Sequence, residues 1–379
     1  MTRARYERRI AANPQMVVAQ CGSWCGLRCT YCYLPDRHKK FLMSAEVATA
    51  LARSLAELPG DGRPVEVVWH AGEPLGIGRA RFARLLEPFE ELREQGRIRH
   101  YVQTNATMVT AAWCDFLTEY DFAVGVSIDG PAALNAQRVD QRGRPAFDRI
   151  MRGIGQLREH RITFSVIAVV TAESVEHPVE LLEFLSSLGA TSIGLNIEES
   201  EGVNTTRRPP TVDQARAFWQ AAIEWSRLHR GVRIRELARL GDFLRDLRHP
   251  ADSLRAVGLL DPIPTVTWDG NVTLLSPELA GTPAPGYDDF RSGNILDQPL
   301  AEILAGAHRL RYVGEFLSAL DACEASCQFW SFCRGAQAGN RFFEYGRLDV
   351  AETHYCRSTR QALVTGLSDT VREEHTSCS

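Results

Sequence analysis

CGSWCGLRCTYCY, residues 21–33, puts four cysteines into one short stretch. It follows directly on MVVAQ (16–20), an apolar, β-branched run that reads as a strand. Cys25, Cys29 and Cys32 are spaced C-x3-C-x2-C. A loop with that spacing can wrap three thiolates around one iron–sulfur cube and leave one iron open to a substrate. The same trio could serve structural zinc, and both zinc sites and ordinary cubane sites call for four protein ligands. Cys21 could supply a fourth thiolate. At the end of a strand, however, it reads as a small buried residue rather than a ligand.

The rest of the chain bounds the setting. At 379 residues it is too long for one simple core and reads as a large domain plus a smaller one. Its 44% hydrophobic and 24% charged residues are ordinary for a globular protein. A net charge of −4 lacks the basic balance of a nucleic-acid binder. No apolar run approaches the ~20 residues of a membrane span. MTRARYERRIAANPQ, at the N-terminus, is basic but has no apolar core of a signal peptide. The ten cysteines are therefore expected in a reducing cytoplasm, where clustered thiols mean metal or redox chemistry. Cys323, Cys327, Cys333 and Cys356 form a second group, C-x3-C-x5-C-x22-C, able to close the coordination of one cluster or one zinc. Cys114, on a helix with Trp113 and Phe116, reads as packing, and Cys378 as part of a disordered tail.

Between the two groups, strand-like and helix-like segments alternate. The strands read at 16–20, 65–72, 99–105, 122–130, 162–171 and 191–199, and each of the first five is followed by a helical pattern. Ser44 is the expected N-cap of one of these helices, with Val47, Leu51, Leu55 and Leu58 on its buried face. Six such units imply a parallel sheet with strands apolar on both faces. An open doubly wound sheet and a partial (β/α) barrel both fit. The polar segments HAGEP, QTN, SIDG and NIEE gather just after strands, and the site of a parallel α/β fold lies at that end. Convergence of five such ends favours the barrel. After Glu201 the pattern becomes helical to about Arg248, and PTVTWDGNVTLL then reads as a hairpin turning at Asp269-Gly270.

These motifs resemble the radical S-adenosylmethionine (SAM) enzymes. The resemblance rests on C-x3-C-x2-C after the first strand with Tyr31 before the third cysteine, and on HAGEP (70–74) for the family's GGEP segment, with Ala71 for its first glycine. QTN (103–105), SIDG (127–130) followed by Arg138, and LNIEE (195–199) complete it. The C-terminal cysteines resemble a SPASM-type auxiliary cluster domain. The resemblance implies a partial (β/α)6 barrel over 15–210, preceded by an extension over 1–14. A helical bridge over 211–261, a SPASM/twitch-like domain over 262–360 and a tail over 361–379 would follow. It implies a catalytic 4Fe-4S cluster on Cys25, Cys29 and Cys32. SAM would be held by Tyr31, Gly72, Glu73, Pro74, Asn105, Ser127, Arg138 and Asn196, with Glu73 accepting from the ammonium of its methionine. Larger SPASM domains draw further cysteines from the hairpin region. Here VTLLSPELAG offers Ser276 instead, so one auxiliary 4Fe-4S cluster is expected, on Cys323, Cys327, Cys333 and Cys356.

Within that family, CYLPDR, WHAGEPL, VQTNAT, GVSIDGP, LNIEESEG, SPELAG and GNIL look most like the cyclophane-forming maturases of ribosomal peptides. These join an aromatic ring carbon to a nearby side-chain β-carbon. Relatives form thioethers, epimerise residues or generate formylglycine; a non-catalytic Fe-S or zinc protein is the reading from another class. The resemblance implies a precursor peptide as substrate, an external flavodoxin- or ferredoxin-type reductant, and an electron acceptor at the auxiliary cluster. Glu198, sharing a strand face with Asn196, is the expected catalytic base. The short stretch before the first strand leaves no room for a separate leader-binding domain, so leader recognition would use this chain's own surface or a partner.

Overall fold

The computed structural model describes residues 1–249 and 258–377. Its strands are β1 (Met16–Ala19), β2 (Val65–Trp69), β3 (Ile98–Thr104), β4 (Ala123–Ser127), β5 (Phe164–Val170), β6 (Ile193–Ile197), β7 (Thr265–Val266), β8 (Asn271–Thr273) and β9 (Gly293–Asn294). They form one sheet in the order β6-β5-β4-β3-β2-β1-β7-β8-β9. From β1 to β6 every neighbouring pair is parallel and consecutive in the chain. The order never reverses, so there is no switch point of the doubly wound kind. Right-handed crossovers then place the helices on one face, as in a (β/α) barrel left open.

The expected strands that are apolar on both faces are only half right. β3 and β5 alternate buried residues with half-buried ones (exposed at Arg99), because only the convex face lies under helices. On the concave face, Tyr101 donates to Gln103 Oε1 at 3.1 Å, and Gln103 Nε2 donates to Ser127 at 2.9 Å. Polar side chains thus floor the barrel.

Local chemistry sets the helices. Ser44 Oγ accepts from Val47 N at 3.3 Å and starts helix Ala45–Glu57, whose Val47, Leu51 and Leu55 are buried. The helical run after Gly78 breaks at Pro88, which cannot donate to the ladder, into Arg79–Leu86, a 3-10 turn and Glu90–Glu94. Thr211 and Gln214 form a capping box on helix Val212–Leu228. Helix Arg235–Arg248 follows, and part of the expected bridge, residues 250–257, lies outside the described residues.

The hairpin forms where expected, with β7 antiparallel to β8. β7 also pairs in parallel with β1, Val18 opposite Thr265, so the C-terminal strands extend the barrel sheet. The stretch 361–379, expected as a tail, is instead helical over Ala362–Ser377, with Cys378 outside the described residues. An apolar stripe explains the difference: buried Ala362 and Leu363 pack in, and Arg216 pairs with Asp369 at 2.6 Å across to helix Val212–Leu228. The N-terminal stretch also docks. Tyr6 and Ile10 are buried, and Arg5 and Arg9 reach Asp321 of helix Arg311–Ser326 at 2.6 and 2.9 Å.

Candidate active site

The loop after β1 carries the cysteine trio to the carboxyl end of the sheet. There Cys25, Cys29 and Cys32 line a cavity of about 490 Å³. Tyr31, Gly72, Asn105, Ser127, Arg138, Asn196 and Glu198 line the same cavity, so ten of the residues singled out in the sequence converge. Cys21 does not line it; fully buried, with its carbonyl accepting from Met43 N at 3.0 Å, it belongs to the core.

The loop after β2 must pass tightly beneath the cysteine loop. Gly72 has φ +60°, and a Cβ there would fall 2.6 Å from the Trp24 carbonyl oxygen and 2.8 Å from that of Ser23. Only glycine meets both demands. Ala71, where the related motif has glycine, also sits at φ +74°, which costs about 1 kcal/mol.

Glu73 departs from its expected role. Its carboxylate is 2% exposed and does not line the cavity. It accepts from Leu75 N at 3.2 Å, Thr104 Oγ1 at 2.7 Å and Asn105 N at 2.9 Å. These bonds tie the loop after β2 to the end of β3, so Glu73 sets the position of Asn105 rather than offering a carboxylate to a ligand. Burial raises its pKa, and the three donors offset part of the rise. Pro74 is likewise buried and starts the 3-10 turn Pro74–Ile77.

Arg138 is held by Asp129 at 2.8 Å, both side chains buried. Asp129 also accepts from the Tyr31 hydroxyl and from Val169 N at 2.9 Å. It lies within SIDG but has no role expected from the sequence, and it organises this side of the site. Ser127 accepts from Gln103, and Asn105 places Nδ2 3.6 Å from Cys25 Sγ. Asn196 Oδ1 is taken by Arg235 at 2.6 Å. His70, also missed, lines the cavity, and burial pushes its pKa down to about 4, leaving it neutral.

Glu198 lines the cavity, but both its oxygens are bound by Arg207, at 2.6 and 3.0 Å, and Arg207 also holds Glu173 at 2.7 Å. With both oxygens engaged by one guanidinium, neither is left free to face a substrate, so the expectation of Glu198 as the base does not fit the geometry. The capturing arginine comes from the loop beyond the motif, which strand periodicity could not reveal.

Cys323, Cys327, Cys333 and Cys356 line a second cavity of about 450 Å³, with Arg341 Nη2 3.7 Å from Cys323 Sγ. Arg360 lines both cavities and so stands between them. Among the described residues, no three thiol, imidazole or carboxylate groups close on a single-ion site; the thiols ring cavities instead. Burial, with a smaller contribution from the charge of Glu73, pushes the Cys25 thiol up to about 12, and burial pushes Cys29 and Cys356 up to about 11. These sulfurs keep their protons until a cation replaces them. Three soft donors on one wall, and a buried Arg138 whose Nε has no acceptor, fit a thiolate-held cluster carrying an anionic or hydroxyl-bearing ligand.

An open parallel barrel with a cysteine trio at its carboxyl end defines a radical SAM enzyme, and comparison with known proteins agrees. The Radical SAM superfamily model matches residues 20–185. The Synechocystis sp. "Uncharacterized protein sll1766" is 32% identical over 357 residues, 90% of this chain and 88% of that one. The serine-type anaerobic sulfatase-maturating enzyme of Klebsiella aerogenes is 31% identical over 203 residues, about half of each chain (51% and 50%). Among solved structures, native anSMEcpe with bound AdoMet and Cp18Cys peptide superposes with a TM-score of 0.74 at 20% identity, covering 95% of this chain and 99% of that one. The chain belongs to the radical SAM superfamily, with the fold of its SPASM-type members. Its cofactors are SAM and a 4Fe-4S cluster. Among the described residues no helix is long and apolar enough to cross a membrane.

Proposed function

We propose that the protein modifies a ribosomally made precursor peptide by joining an aromatic ring carbon to a nearby side-chain β-carbon. The observation that carries this reading is the reach of the larger cavity. Its walls run from the cysteine trio across the barrel floor to Glu278, Gln337, Tyr355, Thr359 and Arg360 of the C-terminal region. It therefore extends past the cluster and SAM residues towards a second wall, where a peptide side chain can enter. The peptide-bound relative of the same fold and the cyclophane-type motifs support the same reading.

In this reading Cys25, Cys29 and Cys32 hold the catalytic cluster, and Cys323, Cys327, Cys333 and Cys356 fully ligate one auxiliary cluster. Held there, a reduced cluster would supply one-electron chemistry to SAM, and so the power to activate a substrate C–H bond. The chain's residues do the rest by placement. Arg138, oriented by Asp129, and Ser127, oriented by Gln103, hold the polar groups of SAM. Gly72 lets the loop after β2 approach the cysteine loop, Glu73 fixes Asn105, and Asn196 completes the polar wall. A flavodoxin- or ferredoxin-type protein supplies the electron.

Co-expression with the neighbouring small open reading frame, followed by tandem mass spectrometry, tests the reading. Each cross-link removes two hydrogens from the peptide and suppresses backbone cleavage between the joined residues. Formylglycine, the product suggested by the Klebsiella relative, also removes two hydrogens from serine but leaves an aldehyde that a hydrazide traps. An unchanged mass with an altered stereocentre means epimerisation.

A further inference from the structure

The far wall of the large cavity is built differently from the barrel side. On the barrel side acids and arginines are matched: Arg138 with Asp129, Arg207 with Glu198, and Arg235 with Glu236 at 2.5 Å. Glu199 and Glu201, on the loop after β6, and Glu278, in SPELAG, also line the cavity. Among the described residues, no Arg, Lys or His lies at ion-pair distance from any of these three. Glu199 and Glu201 hydrogen-bond to each other; their other side-chain partner is a single amide, Asn340 Nδ2, which donates to Glu199 and to Glu201 Oε1 at 3.1 Å, while the Ser276 hydroxyl donates to Glu278 at 2.6 Å.

The loop is fixed against the cysteine loop. Val203 N donates to the Tyr33 carbonyl at 3.1 Å, and Gly202, at φ +53°, packs so close that a Cβ would meet that oxygen at 2.1 Å. The acids therefore stand beside the cysteine trio by construction. Two further side chains, themselves almost fully buried, are left without partners. Asn340, 1% exposed, has no donor for Oδ1, and Thr359, 5% exposed and on the same cavity wall, has none for Oγ1. Turning the Asn340 amide over would set its oxygen against two carboxylates, so the orientation that leaves Oδ1 bare is the one the acids enforce. Arg360 of the same wall also has a bare Nε, so the wall carries several acceptors and one guanidinium that lies at ion-pair distance from none of the three acids. Burial, and then the charge of a neighbouring carboxylate (Glu201 for Glu199, Glu278 for Glu201), pushes both well above the usual carboxylate range, as expected for acids with no cation at ion-pair distance.

We propose that this wall receives a cationic side chain of the peptide, a guanidinium or ammonium group, which Glu199, Glu201 and Glu278 hold while the neighbouring residue meets the reactive end of the cavity. The inference rests on the peptide reading above and adds the chemical class that the peptide must present. Charge is the selecting feature, because three carboxyls with no cation at ion-pair distance stabilise a buried positive group that a neutral donor cannot replace.

The test uses the reconstituted holoenzyme with SAM under anaerobic conditions. Two peptides, acetyl-Gly-Trp-Gly-Arg-Gly-amide and its citrulline counterpart, are titrated by calorimetry; citrulline keeps the shape and most donors but removes the charge. The arginine peptide should bind about tenfold more tightly or better. In Glu201→Gln and Glu278→Gln the ratio should fall to about threefold or less, with iron content and circular dichroism confirming that the variants fold. Equal affinities in the parent enzyme, which need no variant, overturn the inference, as does a ratio unchanged in both variants or binding of neither peptide. Cross-linking of the co-expressed precursor alongside equal affinities would sink this inference alone. A precursor left unmodified, with SAM cleavage indifferent to any peptide, would sink the peptide reading itself.

Discussion

Replacing Glu73 by Ala decides between two roles for the most recognisable acid in the sequence. If Glu73 is a SAM contact, its loss should weaken SAM binding and leave the ligand-free protein nearly as stable as before. The structure gives the opposite expectation. Removing the carboxylate strands three buried donors, Leu75 N, Thr104 Oγ1 and Asn105 N, now at 3.2, 2.7 and 2.9 Å from it. A buried donor without a partner costs about 1–3 kcal/mol. The 3.2 Å bond is the weakest of the three, and the relief of burying a charge offsets part of the sum, leaving about 3–5 kcal/mol. Glu73→Gln keeps an acceptor for some of the donors but turns an NH2 group towards another, and should lose about 1–2 kcal/mol. The assay is urea unfolding of the cluster-free, SAM-free protein, followed by tryptophan fluorescence. Glu73→Ala should move the midpoint far down, with Glu73→Gln between it and the parent. A midpoint equal to the parent's, together with lost SAM affinity in the holoenzyme, would refute the positioning role and restore the direct contact.

Three further outcomes follow from the same geometry. Glu198→Gln should lose the Arg207 pair yet keep product formation within a few-fold of the parent; a thousandfold loss in single-turnover rate would reinstate Glu198 as the base. Cys356→Ala should retain SAM cleavage while losing the iron of one cluster and most of the cross-linked product; a folded variant with one cluster and normal product would remove any redox role from the second cavity. Finally, Glu199, Glu201 and Glu278 have pKa values raised from the ordinary 4.5, so the folded state binds their protons more tightly than the unfolded one. Their ionisation then costs stability as pH rises above that value. Thermal unfolding of the parent should show Tm falling from pH 5 towards pH 8, and Glu278→Gln should flatten that slope; an unchanged slope would show that the acids are not coupled.

The sequence by itself determined the class of chemistry. Thiol spacing within one loop, Ser44 as a cap and the Asp269-Gly270 hairpin are all local features. Local backbone sterics and hydrogen bonding act within a few residues, so they can be read along the chain. The alternation of strand and helix likewise announced a parallel sheet. It could not choose the winding, because the order of strands in space is not a periodicity, and the monotonic run from β1 to β6 appears only in the pairing. What the sequence missed are partnerships between distant residues. Glu73 became a structural acceptor because Thr104 and Asn105 come to it from β3. Glu198 was neutralised by an arginine in the loop that follows it. Residues 362–377 became a helix packed on helix Val212–Leu228, where Arg216 pairs with Asp369 at 2.6 Å. The unmatched acids drew no notice because nothing in NIEESEG or SPELAG says that the two segments face one cavity with no cation at ion-pair distance. A carboxylate's role depends on what folding brings within about 3 Å of it, and that distance is fixed by tertiary packing alone.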